Sequence, residues 1–208
     1  MMKNCVVLAV AGVSSGALGQ TASLNIVASQ TVVDSSVTTS ITLAVYGDVD
    51  WGTHITHAAF RVDAVGGVGV IDQMSLLEIP LWGVVGFGDS GDGGDGNHRG
   101  IQMGQIVWVP HVLPNGMSAL GNGPVLLGNF EATLFAGSFG EVTWTLNGGV
   151  PQYGLEVFDA NADPEDVPSQ FRSFSSPSTG SATVHVIPSP SSVALLGLCG
   201  LIGGRRRR

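Results

Sequence analysis

The sequence predicts an all-β protein: an antiparallel β-sandwich of about nine strands. Apolar and polar residues alternate with a period of two over much of the segment 20–187. Clusters of Gly, Asn, Asp and Pro separate the alternating runs. No window carries the sustained apolar stripe of an amphipathic helix, so the strands are expected to bury their apolar faces against one another in two sheets.

Three runs show the alternation most clearly, at 37–46, 53–65 and 141–149. The residues predicted to face inward are Val37, Thr39, Ile41, Leu43 and Val45 in the first run, Ala58, Phe60, Val62 and Ala64 in the second, and Val142, Trp144 and Leu146 in the third. Asn147 and Gly148 predict a turn after the third run. Six further strands are predicted near 23–29, 66–74, 101–109, 125–136, 153–158 and 181–187.

Three segments interrupt this pattern. The stretch GFGDSGDGGDGNHRG (86–100) is so rich in glycine that it predicts a long exposed loop. The stretch FSSPSTGS (174–181) predicts a polar connector before the last strand. The stretch MSLLEIP (74–80) suggests a short helical turn.

The charge of the chain is concentrated. Between Gln20 and Ile187 three arginines stand against sixteen carboxylates, a net charge of −13, while four of the other five basic residues lie at 205–208. So acidic a surface repels nucleic acid, and binding to nucleic acid is not expected. The two cysteines, Cys5 and Cys199, lie outside the acidic region, which therefore has to fold without a disulfide of its own.

Residues 1–19 predict a secretory signal peptide. Lys3 precedes a nine-residue apolar run from Cys5 to Val13, and Ala17 and Gly19 occupy the small-residue positions of a cleavage site before Gln20. The mature protein is therefore expected to begin at Gln20.

Residues 188–208 form a second segment with a processing signature. A Pro-Ser spacer leads into Ser191–Gly204, which contains no charge, and Arg205, Arg206, Arg207 and Arg208 follow at once. Four arginines hold that side of an apolar segment in the cytoplasm. Fourteen residues at about 1.5 Å each give a helix of about 21 Å, shorter than a hydrocarbon core of about 30 Å. Two interpretations remain open, a temporary sorting signal and a plain membrane anchor.

This layout resembles the PEP-CTERM sorting signal. Ile187-Pro188-Ser189-Pro190 stands where that family has Val-Pro-Glu-Pro, and SSVALLGLCGLIGG is similar to its Leu/Gly-rich helix. The resemblance implies recognition by an exosortase-type enzyme, transient association with the inner membrane, and delivery to the envelope exterior, often alongside exopolysaccharide. Ser189 departs from the glutamate of the family motif.

The region 20–187 carries a second resemblance. The segments SLNIVASQTVVDSSVTTSITLAVYGDV (23–49) and THITHAAFRVD (53–63) are similar to the opening strands of cohesin-like, immunoglobulin-like bacterial surface sandwiches. This resemblance implies a β-sandwich ectodomain and contacts with other proteins.

Two acidic loops are candidates for Ca²⁺. Asp89, Asp92 and Asp95 lie on the glycine-rich stretch, where hard oxygen ligands and flexible backbone suit this ion. Asp159, Asn161 and Asp163 begin like an EF-hand loop, but Pro164 replaces the required Gly and Gln170 replaces the bidentate Glu. In both loops the alternative is a solvated acidic turn, so no cofactor is required.

The pair His54 and His57 has a spacing that suits zinc on a helix. On a strand, residues three apart are expected to face opposite sides, which argues against a shared metal.

No motif of a nucleophilic, metal-dependent or phosphate-binding enzyme occurs in the sequence. Three hypotheses remain: a non-enzymatic envelope or matrix surface protein, a carbohydrate-binding module assisted by Ca²⁺, and a glycan-active enzyme with an unrecognised carboxylate pair. Trp51 and Trp82, near turns, are the best candidates for stacking on sugar rings, whereas Trp144 is expected in the core.

Overall fold

The computed structural model describes residues 20–79, 88–104, 123–147, 154–163 and 165–188. Fourteen strands and one short 3-10 helix (Val167–Gln170) occur in these ranges. The strands are β1 (Ala22–Ala28), β2 (Val32–Asp34), β3 (Ser40–Val49), β4 (His54–Val65), β5 (Ile71–Glu78), β6 (Gly88–Asp89), β7 (Asp92–Gly94), β8 (Asn97–Gly104), β9 (Val125–Leu134), β10 (Gly140–Asn147), β11 (Leu155–Phe158), β12 (Phe171–Phe174), β13 (Ser178–Thr179) and β14 (Ser181–Ile187).

The strands form two sheets. The smaller sheet has the order β13-β1-β3-β9-β5. The larger sheet runs β12-β11-β4-β10-β14-β2, and β8 pairs with β4 and carries β6 and β7. One edge of β4 pairs with β8, and the other pairs with β11 near its start and with β10 near its end. Most pairings are antiparallel, as predicted; β13 joins β1 and β2 joins β14 in parallel.

The core lies between the two sheets and is built from the alternating residues of the long strands. In β3 the burial alternates at each step, and Ile41, Leu43 and Val45 are fully buried. In β10 the same holds for Val142, Trp144 and Leu146. The indole nitrogen of Trp144 donates a hydrogen bond to the carbonyl of Gly96 at 3.0 Å, which satisfies the ring's one polar group inside the core.

Each of the nine predicted strands overlaps an observed strand, and the predicted fold class is confirmed. The strand predicted near 66–74 begins only at Ile71, because residues 66–70 form a turn. Residues 105–109, 148–149 and 153 of other predicted strands lie outside the described residues. The inward-facing residues of β10 and the central part of β4 are confirmed as well. The five strands that were not predicted, β2, β6, β7, β12 and β13, have two to four residues each. Segments of two or three residues cannot display a period of two, and the four residues of β12 are mostly exposed and do not alternate, so only their pairing partners reveal these strands.

Four sequence predictions are corrected. Residues 88–100 are not one exposed loop, because β6 and β7 pair back onto β8. The connector 174–181 contains β13. The suggested helical turn at 74–80 is strand through Glu78, since β5 pairs with β9. Val37 and Thr39 are not inward-facing but exposed, Val37 to 78%, because β3 begins only at Ser40.

Two bulges change which side chains face the core. Opposite β11, residues His57 and Ile55 of β4 pair with consecutive partners, so Thr56 is an extra residue. In β8, Ile101 pairs with Phe60 and His98 pairs with Val62, so β8 contains one residue more than β4 between these two pairs. Beyond each extra residue, the positions that face the core and the positions that face outward are exchanged. The alternation in one half of the strand therefore does not predict burial in the other half.

The sandwich has two ends, which are named here by β4. The His54 end carries the start of β4 and the residues after β11, because Phe158 pairs with His54. The Val65 end carries the end of β4 and the end of β14. A twelve-residue strand separates the two ends by about 36 Å.

Candidate functional site

The outer face of the larger sheet contains a depression of about 200 Å³ between β4, β11 and β12. His57 and Glu156 stand opposite each other in the register of β4 and β11, and Ser173 of β12 pairs with Glu156. The remaining lining residues are Gly154, Leu155, Phe174 and Ser175. The volume lies below the range of about 300–1,000 Å³ that is usual for small-molecule pockets.

Polar groups in the depression already contact one another. The hydroxyl of Thr56 donates to the backbone carbonyl of Glu156 at 3.1 Å and lies 3.4 Å from its carboxylate, which accepts a long hydrogen bond from the hydroxyl of Ser173 (3.5 Å). The Nε2 atom of His57 lies 3.1 Å from the amide nitrogen of Gln102. Burial lowers the pKa of His57, and the charge of Glu156 opposes part of this shift. The arrangement offers a carboxylate, an imidazole and a hydroxyl to a small polar group of a partner.

The bulge at Thr56 overturns the argument from sequence about His54 and His57. Both histidines lie on the outer face, since Ile55 and Ala58 are the neighbours that point into the core. Among the residues that the structure describes, no group of three His, Cys, Asp or Glu side chains is placed to hold a metal.

His98 is a buried polar residue that the sequence argument missed. Only 1% of its surface is exposed, and its ring meets Phe130 edge-on with centroids 5.0 Å apart. Its Nε2 atom lies 3.0 Å from a carboxylate oxygen of Asp89, within ion-pairing distance. Its Nδ1 atom has no hydrogen-bond partner in the described residues. The bulge in β8 turns His98 inward, so the alternation of Ile101 and Met103 did not indicate its burial.

The burial of His98 predicts a loss of stability in mild acid. Burial lowers its pKa from the usual 6.5, and the charges of Asp89 and Asp92 offset only part of this shift. The unfolded chain then binds more protons than the folded chain between the two pKa values. Stability due to His98 is therefore complete above about pH 6.5 and falls below it, by up to about 1.4 kcal/mol per pH unit.

Denaturant titrations between pH 5 and pH 8 measure this effect. His98→Leu should reduce the slope of unfolding free energy against pH below 6.5 and leave stability at pH 8 nearly unchanged, because both buried ring nitrogens are removed. The exposed His185 supplies the matched control, His185→Leu. Equal slopes in the parent and His98→Leu would contradict the prediction; His57 accounts for a remaining slope, since burial lowers its pKa too.

The aspartates of the glycine-rich stretch have structural partners. An oxygen of Asp92 accepts hydrogen bonds from the backbone of Met74 (3.2 Å) and Gly94 (3.1 Å). Asp89 accepts one from the backbone of Gly91 at 2.7 Å in addition to its contact with His98. Asp95 is exposed and has a positive φ of 54° at the turn between β7 and β8. These hydrogen bonds hold the aspartates on the turn, and Ca²⁺ binding here stays a prediction.

The second acidic loop, 159–170, follows β11 at the His54 end. Asp159 accepts a hydrogen bond from the backbone of Asn161, and Asp163 accepts one from the backbone of Glu165, both at 2.9 Å. Side chains that cap their own turns in this way are common without a metal. Ca²⁺ binding by this loop also stays a prediction.

Trp51 differs from the sequence expectation of an open aromatic surface. Its ring packs against the core, and the guanidinium carbon of Arg172 lies 5.0 Å from the ring centroid. A cation over the ring face occupies the position that a stacked sugar would take. Trp82 and Trp108 lie outside the described residues.

The terminal segments fall largely outside the described residues. Residues 1–19 and 189–208 are not among them, and β14 ends one residue before Pro188. Within the described ranges, no helix is long and apolar enough to cross a membrane.

A comparison with protein-family models finds no match for this chain, and a comparison with curated proteins finds none either. The solved structures that are similar to it include three cohesins. The seventh ScaB type I cohesin from Pseudobacteroides cellulosolvens has a TM-score of 0.46 at 10% identity and covers 80% of this chain and 93% of its own.

The other two come from Acetivibrio cellulolyticus. The sixth cohesin of scaffoldin B, solved in complex with a mutant Cel5 dockerin, has a TM-score of 0.42 at 12% identity and covers 80% of this chain and 99% of its own. A type II cohesin domain from the cellulosome has a TM-score of 0.44 at 11% identity, with 79% and 95% covered. At these values the likeness concerns architecture and does not extend to binding partners.

Proposed function

We propose that this chain is an exported, non-enzymatic surface protein of the cell envelope or extracellular matrix, delivered by the sorting segment 188–208. The observation that carries the proposal is that the last described strand ends at Ile187, directly before the tail. The last strand, β14, lies between β10 and β2 inside the larger sheet. The first strand begins at Ala22. The described strands thus run from Ala22 to Ile187, and the sequence segments before and after them have the composition of processing signals.

The physical properties of the tail support a temporary stop in the inner membrane. The uncharged run 191–204 is short for a permanent anchor, and the four arginines after it oppose translocation. An exosortase-type enzyme that cuts near Pro188-Ser189-Pro190 would then release the sandwich to the envelope exterior.

The described surfaces favour contact over catalysis. The depression near Glu156 is small, and the carboxylates of Asp89 and Asp92 take part in turn hydrogen bonds. A surface protein is the partner class that we favour. A Ca²⁺-assisted module for exopolysaccharide is less well supported, because Arg172 covers the ring of Trp51.

The sorting proposal is tested by expressing the full chain in two matched hosts, one with an exosortase and one from which it has been deleted. Immunoblots should show a shorter, released product only in the first host. Ser189→Glu, which restores the family's carboxylate, should increase the processed fraction. Ser176→Glu adds the same charge at an exposed position of the sandwich, outside both the motif and the apolar run, and should not. An identical product pattern in both hosts would refute recognition of the tail by such an enzyme.

A further inference from the structure

Exposed apolar side chains are concentrated at the Val65 end of the sandwich. Six of the ten large hydrophobic side chains that are exposed in the described part of the chain lie there. They are Val37, Val65, Val68, Phe135, Phe139 and Ile187. Four of them, Val37, Val65, Val68 and Phe139, are between 72% and 78% exposed. Apolar patches of this kind on a folded surface mark sites of contact.

This patch is held in place by the fold. Three turns carry most of it, at 35–39, 66–70 and 135–139, and hydrogen bonds join them. The hydroxyl of Ser35 donates to the carbonyl of Ser138 at 2.6 Å. The backbone of Phe135 donates to the carbonyl of Val70 at 3.0 Å. The exposed side chains therefore lie on three turns whose relative positions are fixed by hydrogen bonds.

The chain leaves the sandwich at the same end. Ile187, the last residue of β14, belongs to the patch, and its carbonyl accepts a hydrogen bond from the backbone of Ser35 at 3.1 Å. The uncharged run begins at Ser191, so only residues 188–190 separate the two. In an extended proline-rich conformation three residues span about 9 Å.

We infer that the Val65 end of the sandwich rests in the interface of a lipid bilayer while the segment 191–204 is inserted. This inference rests on the membrane association proposed above. A helix of about 21 Å is about 9 Å shorter than a hydrocarbon core of about 30 Å. With the arginines held on the cytoplasmic side, a spacer of about 9 Å is used up in covering that difference, and the domain is left at the headgroup layer. The side chains that meet this layer first are Val37, Val68 and Phe139.

The charges around the patch indicate whether anionic lipids would strengthen its binding to a bilayer. Asp34, Asp72, Asp95 and Glu141 are the carboxylates closest to the Val65 end in the strand register. Asp34 accepts a hydrogen bond from the hydroxyl of Ser36, and a carboxylate oxygen of Glu141 lies 3.1 Å from Nδ1 of His185. Asp72 and Asp95 are exposed. Contact should therefore depend on apolar burial and should not be strengthened by anionic lipid.

The test places an environment-sensitive fluorophore on single cysteines of the full chain, after Cys5→Ser and Cys199→Ser. Val68→Cys reports on the patch. Leu77→Cys, on β5 six residues beyond Ile71, and Asn161→Cys, at the His54 end, are the controls. With phosphatidylcholine vesicles, the Val68→Cys label should be quenched by nitroxide-labelled lipid. Aqueous iodide should quench it several-fold less than the Asn161→Cys label, with Leu77→Cys close to Asn161→Cys.

The outcomes separate the inference from the proposed function. If the protein does not float with the vesicles, the proposed membrane association fails and the inference fails with it. If it floats and iodide reaches Val68→Cys and Asn161→Cys equally, only the inference is wrong. If the Val68→Cys label is shielded from iodide before vesicles are added, the occupant is the segment 191–204 or a second copy, which also overturns it.

A second variant separates contact from anchoring. Val68→Ser with Phe139→Ser should leave flotation intact and expose a Val37→Cys label to iodide. Leu77→Ser, which removes an exposed hydrophobic side chain outside the patch, should leave that label protected. Equal protection in both variants would overturn the inference.

Discussion

Phe60→Asp should abolish folding of the sandwich. Phe60 is 1% exposed, and its ring meets Phe130 with centroids 6.2 Å apart. Because Phe60 belongs to β4 and Phe130 to β9, this contact joins the two sheets. Loss of a buried Phe costs about 3–5 kcal/mol, and an unpaired buried carboxylate adds several more. The sum is comparable to the whole stability of a typical domain, about 5–15 kcal/mol.

Circular dichroism and denaturant unfolding of the full chain measure the effect. Val65→Asp is the matched control, since it makes the same kind of change at a 72% exposed position of the same strand. It should change the unfolding free energy by no more than about 0.5 kcal/mol. A folded Phe60→Asp protein, or equal losses in both variants, would mean that β4 does not pack with this register.

Deletion of residues 205–208 should abolish retention of the unprocessed chain at the inner membrane. The apolar run 191–204 gives a helix of about 21 Å, so its anchoring by burial alone is weak. The arginines supply the barrier, because moving a cationic side chain through the bilayer centre costs about 2.5–3.5 kcal/mol each on insertion scales. Without them the short helix should slip through.

Fractionation in a host without an exosortase reports the result directly. Replacing Arg205, Arg206, Arg207 and Arg208 with four lysines keeps the charge and should keep the chain in the membrane fraction. The deletion variant should appear in the soluble periplasmic or extracellular fraction. A deletion variant that stays in the membrane fraction like its parent would show that the apolar run suffices.

The long strands of the fold were predictable from the sequence because they obey one simple rule. A strand with one buried face must alternate, and β3 and β10 do so without interruption. The parity of Trp144 alone placed it in the core. Alternation does not show which strands pair. The short strands β2 and β13 are defined by their pairing with β14 and β1, so they were not predicted.

The site residues were less predictable because bulges reset the parity. The bulge at Thr56 puts His54 and His57 on one face, and the bulge in β8 buries His98. Both depend on how many residues the neighbouring strand supplies, which is a property of the pair of strands. Gly100, which adopts a positive φ in the second bulge, was the one local signal for that bulge in the sequence.

The patch at the Val65 end was hidden for a related reason. Val37, Val68 and Phe139 are isolated apolar residues within turns, separated by about thirty to seventy positions along the chain. Only the hydrogen bonds among the three turns show that they form one surface. The segments at both chain ends, in contrast, are read by cellular machinery as linear signals, so their composition carries the prediction.

Mass spectrometry of the protein recovered from the envelope exterior of an exosortase-containing host identifies both of its termini. If export and tail processing proceed as proposed, the N-terminus is Gln20 and the C-terminus lies within or close to Pro188-Ser189-Pro190, with the arginine cluster removed. A protein recovered there that still carries Met1 and Arg208 would contradict both export by the signal peptide and processing of the tail.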